Sequence, residues 1–367
     1  MTRIFINGKF TAQRITGVQR LALGLVEALD KLLAAREATD QWTLLCPPGA
    51  SPPALQRITV RTAPTRRFGL HLWEQVALPW ASRSGRLINL SGPAPLFKRG
   101  QVCMLPDAAV FDHPTAYTKA FAGWYRFLFK SLAKSASLLL TLSRFSRERL
   151  ATQLDVEPER LKVVHGAATH MEAIAQDDSV LHRLSLHGVP YLLSVGSANP
   201  TKNLAALLEA FRNLPRPDLR LVVVGGANSG VFAHQGARHD DSRVLHTGPI
   251  GDDQLKSLYA NALAFVFPSL YEGFGLPPVE AMSLGCPVVA SSAASLPEVC
   301  GDAAVYFDPT SVDSMAAAIG RVVDDADLRA DLRRRGARQY STFTWDAAAR
   351  QLLEHLEQAG LVHRSEV

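Results

Sequence analysis

From residue 190 onward, short apolar runs alternate with amphipathic helical patterns, and that alternation leaves few architectures open. Tyr191-Leu192-Leu193-Ser194-Val195 reads as a buried strand ending at Gly196. A polar loop follows, then Leu204, Leu207, Leu208 and Phe211 at the i, i+3, i+4, i+7 spacing of a helix. Residues 219–224, closed by Gly225-Gly226, and residues 244–245, 264–267 and 288–290 read as further strands. Asp252 is expected to cap a helix bearing Leu255, Leu258 and Tyr259. Strands that are apolar on both faces and separated by amphipathic helices form a parallel sheet wound by right-handed crossovers.

The first half repeats the theme with looser spacing. Ile4-Phe5-Ile6 opens it, and a helix with Val18, Leu21, Leu25 and Leu29 follows Gly17. Short strands are expected at 43–45, 58–60, 87–90, 102–105, 138–141 and 162–164. The fold class is therefore α/β, with two Rossmann-like parallel-sheet domains at 1–170 and 190–344. Residues 171–189, with weak periodicity and Gln176-Asp177-Asp178, are expected to be the linker. The last segment, 345–367, is expected to fold back onto the first domain. Ligands of such sheets bind beyond the carboxyl ends of the strands, so the loops that follow strands are where chemistry should sit.

Composition narrows the function. No run of about 18 apolar residues exists to span a bilayer, and Arg14 and Arg20 break any secretory apolar core, so a cytoplasmic protein is expected. The four cysteines form no C-x-x-C pair, which points to free buried thiols rather than disulfides or zinc. The net charge of +5 is unevenly spread: residues 1–170 carry 23 Lys/Arg against 11 Asp/Glu, and residues 171–367 carry 16 against 23. The basic half suits an anionic partner. No nucleic-acid recognition module accompanies it, so nucleic acid is not expected.

The most informative stretch is P-S-L-Y-E-G-F-G-L-P-P-V-E-A-M-S-L-G-C-P-V-V, residues 268–289. A strand ends at Pro268, Gly273-Phe274-Gly275 turns the chain, and Pro277 or Pro278 starts a helix, where a missing N–H does no harm. Gly285 stops that helix. Its N-terminus suits an anion such as a diphosphate. Glu272 precedes the helix and Glu280 is placed in its first turn, and carboxylates accept hydrogen bonds from vicinal hydroxyls. Outside this Gly/Pro setting, the same pair would read as a capped structural helix with one solvated glutamate.

This stretch resembles the signature of retaining family 4 glycosyltransferases, which take nucleotide-sugar donors and have the two-domain GT-B fold. Supporting matches are V-G-S-A-N-P-T-K-N (195–203), L-T-L-S-R-F-S (140–146) and S-L-P-E-V-C-G-D-A-A (295–304). The opening F-I-N-G-K-F…T-G-V-Q-R is similar to a bacterial surface-polysaccharide subgroup. The resemblance implies that Lys202 binds the donor diphosphate. It implies that Glu272 contacts the donor sugar and Glu280 the ribose. Gly273, Phe274, Gly275 and Leu276 would offer backbone N–H groups, and Ile250 would hold the base through its main chain. Gly17 would let the first domain approach the diphosphate. Ser197 stands where many relatives carry an arginine, and Arg144 is the candidate substitute. Many relatives have a His-Asp pair after the strand near residue 105; here Pro106 replaces the histidine, Asp107 remains, and His113 follows seven residues later.

The function implied is glycosyl transfer with retained configuration, from a donor with GDP-mannose as first choice, to a lipid-linked or growing polysaccharide acceptor. No cofactor beyond the donor and no metal is expected. Residues 121–130, F-A-G-W-Y-R-F-L-F-K, with Lys134 beyond, are aromatic and basic at helical spacing; they read either as a contact to an anionic membrane surface or as a core-facing helix with a solvated edge. Two rivals stand beside this. Pro106 leaves room for a non-catalytic nucleotide-sugar-binding scaffold. A dinucleotide-dependent oxidoreductase would need a G-x-G-x-x-G straight after a strand, which neither Gly196 nor Gly225-Gly226 supplies.

Overall fold

A computed structural model describes residues 2–36, 40–63, 69–197, 199–225 and 241–363. Gly226 and residues 364–367 lie outside the described residues. The chain divides into two units. One holds the described residues of 1–108, 123–167 and 345–367, and the other those of 109–122 and 168–344.

The first unit is built on seven parallel strands: β1 (Arg3–Asn7), β2 (Gln41–Cys46), β3 (Thr59–Thr62), β4 (Arg86–Asn89), β5 (Val102–Met104), β6 (Leu138–Thr141) and β7 (Leu161–Val163). Their order is β3-β2-β1-β4-β5-β6-β7. The second unit has six parallel strands: β8 (Tyr191–Val195), β9 (Arg220–Val224), β10 (Val244–Gly248), β11 (Ala264–Phe267), β12 (Val288–Ser291) and β13 (Ala304–Phe307). Their order is β10-β9-β8-β11-β12-β13. Every pairing among these strands is parallel, and chain order reverses once in each sheet, between β1 and β4 and between β8 and β11. Such reversals open a crevice at the carboxyl edge of the sheet.

The apolar runs behave as their composition requires. Along β11, Phe265 and Phe267 belong to one core cluster and Ala264 and Val266 to another, so both faces of the strand are covered. All four cysteines are free and buried. The strand at Ala304–Phe307 is one that periodicity did not single out; it is an edge strand whose first three residues are only half-buried.

Three expectations are corrected. Residues 171–189 are no linker: Met171, Val180, Leu181 and Leu186 are buried in the core of the second unit. Their apolar side chains are too few to show a period, yet each finds a pocket. Asp252 does not cap its helix. Gly251 takes that position, and Asp252 and Asp253 fill the first turn, where the helix dipole favours negative charge. Residues 109–122, placed by sequence in the first domain, belong to the second unit.

The last helix, Trp345–Gln358, packs on the Gly17–Ala34 helix of the first unit. Gly24 permits this approach, since a Cβ there would stand 2.5 Å from the indole of Trp345.

Candidate active site

Two loops of the second unit leave adjacent strands on either side of its reversal point, and they carry the residues that the sequence singled out. After β8, Asn199 accepts from the Thr201 N–H (2.9 Å) and fixes a short helical turn, Pro200–Lys202. Asn203 then takes a left-handed conformation (φ 55°) and donates through its side chain to the carbonyls of Pro268 (3.2 Å) and Pro309 (2.8 Å). The Leu270 N–H donates to the Thr201 carbonyl (2.7 Å). The loop after β8 is thereby stitched to the loop after β11.

Across that seam the Lys202 Nζ lies 2.5 Å from Glu272 Oε1, with side chains 25% and 12% exposed. The pair is therefore shielded but reachable. The Lys202 ammonium also stands 5.5 Å above the Phe267 ring, within cation–π range. Gly196, Ser197, Ser194 and Ser269 line a small recess beside the Lys202 stem. Ser197, at the position for which an arginine is usual among the relatives it resembles, is exposed.

The turn after Glu272 is held from a third loop. The buried Ser295 hydroxyl is directed at the carbonyls of Glu272 (3.0 Å) and Phe274 (2.9 Å). Phe274 turns its ring inward, edge-on to Phe343 at 5.3 Å, so only its backbone is available to a ligand. Gly275 has φ 103° and caps the Leu276–Ser283 helix, and a Cβ there would meet Leu296 at 2.8 Å. Both the backbone angle and the packing therefore demand glycine. Pro277 and Pro278 carry no N–H, which leaves Leu276 and Val279 to supply the first-turn donors of this helix terminus.

Glu280 is not in the first turn, as its spacing suggested, but one turn in, and it is buried. Its Oε1 lies 3.3 Å from the His170 Nε2, and its Oε2 is 3.4 Å from the Tyr259 hydroxyl. Two side chains from separate elements thus flank this carboxylate, and the tyrosine donates to it. His170 was missed because it is the last residue of the expected first domain, whereas the structure places it in the second unit. Tyr271, next to Glu272, donates to Asp112 Oδ2 (3.1 Å) and meets the His113 ring edge-on at 5.1 Å. These contacts explain why residues 109–122 go with the second unit.

The remaining expected residues are placed as follows. Ile250 is half-buried against the core of the second unit, in the loop after β10. Gly17 is exposed at the first position of the Gly17–Ala34 helix, behind Thr16, in the first unit. Asp107 follows β5 in the first unit and is half-buried; Arg144 is exposed at the start of the Arg144–Leu154 helix there.

A carboxylate held against an ammonium, a glycine-capped helix start and a second carboxylate have the chemistry to receive a phosphorylated, hydroxyl-rich ligand. The family described as glycosyl transferases group 1 matches residues 183–339. The chain is 34% identical over 292 residues to O-antigen chain mannosyltransferase B of Escherichia coli, covering 75% of each protein. It is 33% identical over 253 residues to an MMP α-(1→4)-mannosyltransferase of Mycolicibacterium hassiacum, covering 64% of this chain and 58% of that one. In fold it is similar to sucrose-phosphate synthase from Thermosynechococcus elongatus, with a TM-score of 0.74, 20% identity, and 98% of this chain and 99% of that one covered. On the extent of the first match above all, the chain belongs to the group 1 glycosyl transferases and has their GT-B fold of two Rossmann-like domains.

Proposed function

We propose that the protein transfers a mannosyl group from GDP-mannose, with retention at the anomeric carbon, to a lipid-linked or growing surface-polysaccharide acceptor on the cytoplasmic side of the membrane. The observation that carries this reading is the Lys202–Glu272 pair at the reversal point of the second sheet, in a chain 34% identical to an O-antigen mannosyltransferase.

In the proposed reaction the bond from C1 to the β-phosphate oxygen breaks, and the acceptor oxygen bonds to C1 on the same face. The acceptor proton passes to the departing phosphate, and free nucleoside diphosphate leaves. Charge builds on the phosphate as the sugar gains oxocarbenium character. Lys202 meets that charge, together with the amides of Gly273, Phe274, Gly275 and Leu276. Glu272 accepts from the sugar hydroxyls. Glu280, flanked by His170 and Tyr259, accepts from the ribose, and Ile250 borders the base. Gly17 and Asp107 are assigned to the diphosphate approach and to the reacting sugar. A positioned lysine serves the leaving group without a metal ion, so turnover should survive EDTA.

A thermal-shift screen against GDP, UDP, dTDP and ADP tests the donor, because selective binding raises apparent stability by mass action. Transfer from GDP-mannose to extracted lipid acceptors, with the anomeric configuration of the product read by NMR, tests the rest. Selective GDP binding without transfer would leave a binding scaffold, the reading that Pro106 favours. An inverted product would overturn retention.

A further inference from the structure

One face of the first unit's sheet is only partly roofed, and strand order says why. The β1–β2 and β2–β3 connections step the same way along the sheet, so right-handedness puts both on the face that carries the Gly17–Ala34 helix. Asp30 of that helix accepts from the N–H groups of Gln56 (2.8 Å), Arg57 (2.8 Å) and Ile58 (2.7 Å), just ahead of β3, in keeping with that side. The chain then returns from β3 to β4, and this crossover steps the opposite way, over the other face. Its helical stretch runs as Leu70–Leu72, a wide π turn at Trp73–Ala77, and Leu78–Ala81. It buries Trp73, Ala77 and Leu78 on Phe5, Leu45 and Leu87.

Beyond the edge of that stretch the same face stays open. Arg3, Gln41, Thr43 and Arg61 share it with Phe5 and Leu45, because alternate residues of a strand point the same way. Gln41 and Arg61 are exposed, and Thr43 is half-buried. With Trp80, Arg83 and Ser84 at its side, this face forms a groove of about 510 Å³. Small-molecule sites run from roughly 300 to 1,000 Å³. The groove is pinned at both ends. Lys98 donates to the carbonyls of Ser82 (2.8 Å) and Gly85 (2.9 Å), and Gly85 lies so close to the Arg3 carbonyl that no Cβ would fit. At the other end the Trp73 indole N–H donates to the Ala63 carbonyl (3.1 Å).

Charge and spacing say what the groove takes. Three of the residues that line it are arginines and none is acidic. Arg83 is engaged in part: it donates to the Trp80 carbonyl (3.1 Å) and stacks on the Trp80 ring at 4.4 Å. Arg3 and Arg61 are exposed and form no ion pair among the described residues. Arg3 lies opposite Gln41, and Arg61 opposite Leu45, so the two stand roughly 13 Å apart along the strands and roughly 10 Å across them. Guanidinium groups so spaced, each shaped for a carboxylate or a phosphate, suit an extended anion better than a lone ion. Between them Gln41, Thr43 and Ser84 offer amide and hydroxyl groups. The Trp80 ring, 65% exposed, offers an apolar surface to the C–H face of a sugar. Arg3 and Gln41 open β1 and β2, so the groove starts at the amino edge of the sheet, away from the carboxyl edge.

We propose that this groove binds an anionic saccharide, one bearing carboxylate or phosphate groups, at a place where no bond is made or broken. Arg3 and Arg61 hold its charges at the two ends, Arg83 lies along its side, and Trp80 carries a sugar ring. The ligand is either a stretch of acidic glycan chain or a free sugar phosphate. The proposal concerns binding alone, so it rests on neither the donor nor the reaction proposed above.

The test titrates the full chain by calorimetry with trigalacturonate, for an acidic chain, and mannose 6-phosphate, for a free sugar phosphate. Neutral maltotriose and inorganic phosphate are the controls. Saturable binding of at least one anionic saccharide is expected, roughly tenfold tighter than either control and weaker at high salt. Whichever of the two binds more tightly identifies the source. Binding should change the tryptophan fluorescence, and Trp80→Phe should remove most of that change. The variant R3E/R61E should weaken binding roughly tenfold with unchanged circular dichroism, because both side chains are exposed. Binding of neither anionic saccharide, inorganic phosphate or maltotriose binding as tightly, indifference to R3E/R61E, or competition by GDP would each overturn the proposal. A chain that takes the saccharide but no GDP would count against the proposed donor and leave the groove standing.

Discussion

The two sheets reverse strand order at the same place, and the two reversal points are filled in opposite ways. In the first unit, Asn7 ends β1 and Asn89 ends β4, and the Asn7 side chain donates to Asn89 Oδ1 (3.0 Å) and to Glu74 Oε1 (3.1 Å). Lys9 donates to Glu74 Oε2 at 2.7 Å, and Asn89 donates to Gln101 Oε1 at 3.0 Å. Lys9 is 2% exposed and Glu74 1%. The crevice is sealed by a network in which each carboxylate oxygen of Glu74 has a partner. In the second unit the loops after β8 and β11 hold Lys202 and Glu272, paired but partly open to solvent. One fold thus gives two crevices, and the side chains decide which is plugged and which stays open.

The strongest way to break this contrast is to remove Glu74. Losing one partner of a buried pair leaves an uncompensated charge, so Glu74→Ala should cost about 3–5 kcal/mol. Melting of the first unit, followed by urea titration, should register it. The double change K9M/E74L should recover most of the loss, because apolar residues of similar volume replace buried pairs well. Equal damage from the single and double variants would mean that the network does more than fill space.

The opposite outcome is expected at Lys202. Lys202→Ala should lower kcat roughly 10²–10³-fold, the scale for losing a group that stabilises developing charge, while leaving the urea midpoint close to that of the parent. A large stability loss with little change in kcat would make the second pair structural as well, and the contrast between the units would vanish.

The same contrast explains what was legible in the sequence. Glu272, Gly275 and Glu280 lie within nine residues of one another, and the physics joining them is local: a turn, a cap, a helix start. Alternating apolar runs located twelve of the thirteen strands among the described residues, because strands buried on both faces have little choice of composition. The plug of the first unit could not be read, since Lys9, Glu74, Asn89 and Gln101 are brought together only by strand order. The π turn beside Glu74 was equally hidden. Pro79 offers no N–H to the carbonyl four residues back, and the helix widens ahead of it. His170 was lost for a different reason: sequence puts it at the end of the first domain, and only the fold brings it beside Glu280 in the second unit.

His170 sharpens the reading of the open site. If it positions Glu280 for a ribose, His170→Ala should raise the KM for donor roughly tenfold with kcat nearly unchanged, the signature of lost ground-state binding. His170→Gln, which keeps an N–H donor, should recover part of the loss. The preference for GDP over 2′-deoxy-GDP should shrink in the alanine variant. A uniform loss for both nucleotides would assign His170 to packing instead.

The smallest effect belongs to the first unit and concerns its closing segment. Asp40 accepts from the Thr2 N–H (3.0 Å), the His363 N–H (2.9 Å) and the His363 ring nitrogen (2.6 Å). Burial alone would raise its carboxyl, but the His363 backbone and imidazole and the Thr2 N–H outweigh that and hold it below its ordinary value of 3.8. The sign follows from the depressed folded-state value. The clasp contributes in full above the unfolded-state pKa, and its contribution is lost as pH falls through the lower, folded one. Asp40→Asn should therefore melt earlier than the parent at neutral pH, and the two curves should converge as the solution is acidified below about 3.8. The difference should appear only in the transition of the first unit, since two units need not unfold as one. The first unit spends its charged side chains on its own architecture, at this clasp as at the plug, and an acid-sensitive transition shared equally by the second unit would contradict that division.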